Sequence, residues 1–474
     1  MKTYIAITLG PIYKLTGLAK KTKAMWASSY FFSYLGKKLI EPFKDRDFVL
    51  PFLSEKEIWT EQDGIGRFPD RYIFEAKDGD YKRLEEHTTE VIKEIAGQIA
   101  LFLDVCASDV DVFLKNYLKI YFFEKELAEG CNVPKECNSL LDLMEMQDNY
   151  NLIEGKNYLN LFFEHDDLSK SFLVEDAFDE KRTQLFNALD DIADKETRLL
   201  KVKQMAYHNY VAIIAADGDS MSKATEYLIK NNRDVNECLS KPLYEFGKEI
   251  ADIVNKADKK ENYYGQIIYM GGDDLLLFSP VKYGKRTVFD FIEEFSVIFN
   301  EKLKSVGDNP PTISFGVSIA YVKYPMRESL QRANDLLQEA KALNLKNAIA
   351  FSVQKHSGQT TMGVLSKNGK AYELVHQLTN QFKGDNKMIS SIIYWLENNK
   401  QMIQVILGEK EEEKKSHVIN YIQNSLNESI HRELTAFFDT LAEFITIGNT
   451  DESTLDLLIS TLRFIHFLNT EKDE

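Results

Sequence analysis

The chain has 474 residues, 44% hydrophobic and only 10 of them proline. That composition excludes a disordered or fibrous protein, and the length exceeds one ordinary core, so two to four domains are expected. Acidic residues outnumber basic ones, 74 against 58, for a formal net charge of −16, which excludes a polybasic surface for naked nucleic acid and leaves local contact or contact through partner proteins. The four cysteines, Cys106, Cys131, Cys137 and Cys238, contain no C-x-x-C pair, so neither a zinc ribbon nor a thioredoxin-like site is supported. The opening "MKTYIAITLGPIYKL" interleaves apolar with polar residues and lacks a signal-peptide core. No apolar run of roughly 18 residues comes after it, so the sequence predicts a cytoplasmic protein without a membrane span.

In chain order, "KTYIAITL" (2–9) predicts a strand, and residues 11–40 carry apolar positions at helical spacing. The turn-rich "EQDGIGRFPD" leads into a strand at "RYIFEA", an amphipathic helix runs from Tyr81 to about Val105, and "YLKIYFFEKEL" (117–127) alternates as a strand. Residues 131–200 contain acidic, loosely periodic segments such as "TQLFNALDDIADKE" and predict a small helical region. The apolar run "YVAIIAADGDS" (210–220) ends in acid, as a buried strand does when it surfaces at a site. A helical stretch to about Lys256 and a hairpin over 267–279 come next. Then come a helix near 286–305, a strand in 312–322, a helix near 327–343 and a strand in 347–353. From about Thr360 onward the amphipathic stretches and the charge run "GEKEEEKKSHV" predict a helical bundle with a solvated connection.

This pattern predicts an α+β protein: two ferredoxin-like palms, a helical insertion and a C-terminal helical bundle. The expected domains are 1–130, a first palm without its own G-G-D-D; 131–200, a helical middle; 201–358, the catalytic palm; and 359–474, the helical tail.

The chemistry concentrates in "IIYMGGDDLLLFSP" (267–280), which sets Asp273 and Asp274 side by side at a hairpin tip. In a ferredoxin-like sheet the first strand lies beside the central hairpin, which brings Asp217 towards both. Carboxylates so grouped repel unless cations neutralise them, and an oxygen-only ligand set suits Mg²⁺ or Mn²⁺. Two such ions activate an attacking hydroxyl and stabilise a leaving pyrophosphate. Gly271 and Gly272 allow a tight turn and leave backbone room for a triphosphate. "DGDSMSK" offers Gly218, Asp219, Ser220 and Met221 to phosphate at a strand-to-helix junction, with Asp219 equally suited to capping the following helix. Lys341 is a natural phosphate partner if its helix packs beside the site. A lone G-G-D-D is weak evidence, because turns favour Gly and Asp for local reasons; the preceding D-G-D in a matching β/α order strengthens it.

The segments "ADGDSMSK", "YMGGDDLLLFSP", "ISFGVSIAYVKYP" and "LLQEAKALNLKNAIAFSVQKHSG" resemble the catalytic palm of the large polymerase-like subunit of type III CRISPR effector complexes. "YIAITLGPIYKLTGLAKKTKAMWASSYFFSYLG" and "GRFPDRYIFE" resemble that family's first palm, nearest its Cmr-type (III-B) version. The resemblance takes in much of residues 1–358, and the tail matches only in position. It implies an ATP-using nucleotidyl cyclase making cyclic oligoadenylate, or in some Cmr-type members joining AMP to S-adenosylmethionine. It implies that Asp217 and Asp273 hold metal with Asp274 beside them, that Gly218 through Met221 line the triphosphate, and that Lys341 is the family's A-K lysine. The implied partners are the other Cmr subunits, with guide RNA and target RNA reached through the complex. Two features depart from the family. The chain opens at the first palm without a histidine–aspartate nuclease domain, so nuclease activity is not expected. The zinc-binding Cys₄ insertion is also missing. The alternatives are a free-standing GGDEF-like cyclase, although Asp274-Leu275 stands where that family has Glu-Phe, and a catalytically silent scaffold subunit.

Overall fold

The computed structural model describes residues 1–146, 155–178, 188–255, 265–382, 386–407, 411–425, 435–447 and 452–471. The chain divides into two compact units. The first comprises Met1–Ala188, Ser220–Leu277 and Phe295–Thr312; the second comprises Leu189–Asp219, Phe278–Glu294 and Ile313–Glu474. The units are not successive segments. The chain passes from one to the other inside secondary-structure elements and at their ends.

The first unit opens on a four-stranded antiparallel sheet of β1 (Lys2–Gly10), β2 (Phe48–Leu50), β3 (Arg71–Glu75) and β4 (Lys119–Leu127), in the order β2-β3-β1-β4. The helix Thr22–Ile40 lies between β1 and β2 in sequence, and the helices Asp80–Leu103 and Ala107–Tyr117 lie between β3 and β4. This is the β-α-β-β-α-β order of a ferredoxin-like sheet. The short edge strand β2 and the helix Ala107–Tyr117 were not expected from the sequence. Three half-buried residues carry too little alternation to mark a strand.

Among the described residues of 131–200 the α-helices are Val133–Glu145, Tyr158–Glu164, Phe172–Ala177, Leu189–Ala193 and Lys195–Leu200. Residues 183–187 of "TQLFNALDDIADKE" lie outside the described residues. Val133–Glu145 packs its Cys137 and Leu141 against Ala6, Ile73 and Leu127 of the sheet. The helix Thr22–Ile40 is buried along nearly its whole length because aromatic residues enclose it. Phe31 meets Phe163, Tyr34 meets Phe172, and Trp26 packs on Phe178 while donating to the Gly64 carbonyl at 2.7 Å. Burial of that indole leaves its N–H satisfied, as an apolar setting demands.

The second sheet contains β5 (Tyr210–Asp219), β6 (Gln266–Gly271), β7 (Asp274–Pro280), β10 (Thr312–Tyr321), β11 (Ala348–Gln354) and β12 (Thr360–Ser366). Its order is β12-β11-β10-β5-β7-β6. The two-residue strands β8 (Lys282–Tyr283) and β9 (Arg286–Thr287) pair separately. β5 and β10 are buried along most of their length; β5 reads as a continuous apolar run as far as Ala216, whereas β10 alternates Ile313, Phe315, Val317 and Ile319 with Ser314, Gly316 and Ser318. β10 and β11 run parallel, joined by the helix Met326–Lys341, whose Leu336 and Ala340 pack on Ala348 and Ala350.

Two expectations for the tail are corrected. Thr360–Ser366 is a strand antiparallel to β11, and helix begins at Lys370. The exposed Thr360 and Met362 alternate with the buried Thr361 and Leu365, a period of two that the amphipathic reading overlooked. The charge run is not simply a connection either, because a helix spans Glu411–Ser425. Among the described residues no helix is long and apolar enough to cross a membrane.

Candidate nucleotide and metal site

Asp217, Gly218 and Asp219 are the last three residues of β5. Strand geometry points Asp217 and Asp219 to the same side of the sheet. Ser220 comes next with φ 61° and ψ 27°, a left-handed turn, and the helix Met221–Lys230 starts directly after it. Ser220 is the N-cap position, and its side chain makes no capping hydrogen bond. The D-G-D-S-M run is therefore a sharp strand-to-helix junction whose first helical N–H groups lack intrahelical partners.

Lys341 is the last residue of the helix Met326–Lys341. Its ammonium pairs with the Asp217 carboxylate and donates to the Gly218 carbonyl at 3.0 Å. Both side chains are partly exposed, Lys341 at 15% and Asp217 at 30%, so the pair sits at the surface end of the strand. The sequence expected Lys341 to meet phosphate; here it meets the acid at the end of β5.

Asp219 differs. It is 2% exposed, and its Oδ2 accepts from Ser314 Oγ at 2.8 Å and from the Asn347 backbone N–H at 2.9 Å. Ser314 Oγ in turn accepts from the Ala348 N–H at 3.2 Å. Neither Ser314 nor Asn347 stands out in the sequence. The only local signal is one of two serines alternating with apolar residues in a strand, and an asparagine just before another strand. Nearby, Lys367 donates to the Ile313 carbonyl at 2.7 Å and lies over the Phe315 ring. Burial pushes its amine down to about 7, with Glu293 and Asp219 pulling the other way.

The β6–β7 hairpin turns on two residues, Gly272 and Asp273, and Asp274 opens β7. Of the two turn residues only Gly272 has positive φ, +64°, as a turn with glycine in its first central position requires. A side chain at Gly271 would fall 2.4 Å from the Tyr269 hydroxyl, so the Tyr269 side chain would have to shift to admit it. Asp273 and Asp274 are both half-buried.

Among the described residues no group of three or more His, Cys, Asp and Glu side chains is placed to hold a metal ion. Asp217 belongs to one compact unit and Asp273 and Asp274 to the other, and at Asp217 the neighbouring charge is the Lys341 ammonium. The donors remain hard oxygens on half-exposed carboxylates, the ligand type Mg²⁺ and Mn²⁺ take.

Residues 210–350 match the family described as Cas10/Cmr2, second palm domain, and residues 4–100 match the CRISPR-associated protein Cmr2, N-terminal family. The chain belongs to the Cas10/Cmr2 family of type III CRISPR subunits. Among curated proteins it is similar to the CRISPR system Cmr subunit Cmr2 of Pyrococcus furiosus, 29% identical over 174 residues. That stretch is 31% of this chain and spans only 19% of the relative. Among solved structures it resembles a type III-B Cmr-beta assembly in the apo state, with a TM-score of 0.58 at 11% identity, covering 94% of this chain and 82% of that one. It also resembles the apo Csm1–Csm4 cassette, with a TM-score of 0.56 at 12% identity, covering 98% and 69%. A third likeness is to the Csm1–Csm4 cassette in complex with cA4, with a TM-score of 0.53 at 11% identity, covering 94% and 69%. At these identities the likeness is one of fold. The curated relative is named as a Cmr subunit, and the structures of like fold are of Cmr and Csm assemblies.

Proposed function

We propose that this chain is the nucleotidyltransferase subunit of a Cmr-type CRISPR complex, using ATP and a divalent metal to make a nucleotide messenger. The observation that carries the reading is the junction at the end of β5: an accessible Asp217 followed by a sharp turn into a helix, with Lys341 reaching across to it. Fold similarity to a Csm1–Csm4 cassette bound to cA4, and to the same cassette with one ATP, adds support for adenine nucleotides. The ferredoxin-like sheet of residues 2–127 is, in this reading, the first palm, supplying a binding wall without metal ligands.

Asp217, with Asp273 and Asp274, would hold Mg²⁺ or Mn²⁺, which would supply charge neutralisation for the triphosphate and acidify the attacking hydroxyl. Lys341, relieved of part of its duty to Asp217, turns to phosphate oxygen. The N–H groups from Gly218 to Met221 line the triphosphate, and Gly271 and Gly272 keep side chains away from it. The product is a cyclic oligoadenylate, or AMP joined to S-adenosylmethionine. Guide and target RNA act through partner subunits, because a net charge of −16 disfavours direct binding of free RNA.

The test compares product formation from ATP and Mg²⁺ by the isolated chain, the assembled complex, and the complex with complementary RNA, each beside Asp273→Asn with Asp274→Asn. Product that rises with RNA and vanishes in the double variant is expected. Wild-type output from the double variant overturns the assignment, and equal output in all three settings points to a free-standing cyclase. S-adenosylmethionine added to each reaction identifies the second substrate.

A further inference from the structure

We propose that Asp219, Ser314 and Asn347 form a positioning clamp that holds the end of β5 in register for Asp217 and Lys341, with the Asp219 carboxylate acting through the fold rather than on nucleotide or metal. The proposal rests on the reading of Asp217 and Lys341 given above. It begins from burial. A carboxylate 2% exposed, accepting from a fully buried hydroxyl and from a backbone N–H, is desolvated and committed to those donors. Removing one of them is costly, because water does not reach the site to replace it.

The acceptor and its two donors come from three separated parts of the chain. Ser314 belongs to β10, Asn347 immediately precedes β11, and Asp219 ends β5. The Ser314 hydroxyl links them, donating to Asp219 while accepting from the Ala348 N–H. The segment 341–348 therefore grips the end of β5 from both of its own ends. Lys341 holds Asp217 and the Gly218 carbonyl, and six residues later the Asn347 N–H holds Asp219. Between them the chain makes two consecutive left-handed residues, Lys346 at φ 49° and Asn347 at φ 45°. Left-handed backbone is unfavourable for a residue with a side chain, and here the buried carboxylate supplies the compensation by fixing the Asn347 N–H. Lys367 backs the arrangement: its N–H donates to the Asn347 carbonyl at 2.8 Å, and its ammonium lies close enough to Asp219 to feel its charge.

A clamp of this kind sets where Gly218 and Asp217 stand without touching substrate, so its loss lowers turnover more than binding. The test uses the full chain in its complex, with Ser314→Ala, Asp219→Asn and Ser314→Thr. Amide hydrogen exchange at Asn347, Ala348 and residues 217–221 is measured beside turnover, KM for ATP and the Mg²⁺ concentration for half-maximal rate. Expected for Ser314→Ala and Asp219→Asn are exchange at Asn347 faster by about tenfold or more and kcat lower by about tenfold. KM and the Mg²⁺ requirement stay within about twofold. Ser314→Thr, which keeps the hydroxyl, restores both. Unchanged exchange at Asn347 overturns the clamp. So does a large rise in the Mg²⁺ requirement with exchange unaltered, which would make Asp219 a ligand. If the wild-type chain forms no nucleotide product, the proposed function falls, and exchange alone then decides the clamp by the same criterion. Should Asp219→Asn fail to fold, Ser314→Ala, a single-atom deletion, carries the test.

Discussion

Gly316 lies in the middle of β10 with the helix Met326–Lys341 pressed directly onto it. A methyl group there would stand 2.1 Å from the Ala333 carbonyl oxygen and 2.3 Å from the Leu337 nitrogen. Ordinary contact starts at 3.4 Å, so Gly316→Ala requires the helix backbone to retreat by about 1.3 Å. Backbone cannot swing aside as a side chain tip can. The expected cost is that of overpacking a close-fitted interior, about 1–3 kcal/mol, or a fall of roughly 2–12 °C in melting temperature for a unit of this size. The same displacement moves the far end of the helix, where Lys341 meets Asp217 and Gly218. Nucleotide transfer should therefore fall more steeply than stability, since a shift of about 1 Å in a positioning group can cost on the order of a hundredfold. Differential scanning calorimetry and product assays on the same preparation measure both. A variant that melts within about 1 °C of wild type and retains full turnover refutes the argument that helix–strand contact at Gly316 sets the position of Lys341.

Two further outcomes concern charged groups. Lys341→Ala removes a partly exposed ion pair, so stability should change by no more than about 1 kcal/mol while product formation drops; unfolding of the variant, or undiminished turnover, contradicts this. Lys367 is held near 7 against an ordinary 10.5, so between those values the unfolded chain carries a proton that the folded chain lacks. Stability from this group therefore rises with pH across that window, by up to about 1.4 kcal/mol per pH unit, and the full penalty applies below it. Lys367→Met should raise the melting temperature more at pH 6 than at pH 9.5, and an equal shift at both values counts against a buried amine.

The part of the fold legible in the sequence was the part governed by local pattern. The unbroken apolar run of β5 announces a strand buried on both faces, and the G-G-D-D hairpin follows from glycine at the one position whose φ is +64°. The β-α-β-β-α-β order of the second sheet follows from alternating periodicities and is found in the strand order. The illegible part depends on contacts between distant residues. Lys341 pairs with an acid 124 positions away, and Asp219 takes a donor 128 positions away. No spacing rule says whether an acid beside a glycine will cap its own helix, bind a cation or anchor another strand. The edge strand β2 and the added strand β12 escaped for a different reason. Each draws its stability from a neighbour already in place, so its own residues need little distinctive propensity.

The two compact units exchange chain within β7, within the helix Val288–Leu303 and at the first residue of β10. A boundary drawn there severs hydrogen-bonded strand or helix rather than a linker. Neither unit is a contiguous stretch of gene, so recombination cannot transplant one without its companion. A laboratory chimera that exchanges residues 189–474 as one block carries 220–277 and 295–312 of the first unit with it, so it parts them from residues 1–188.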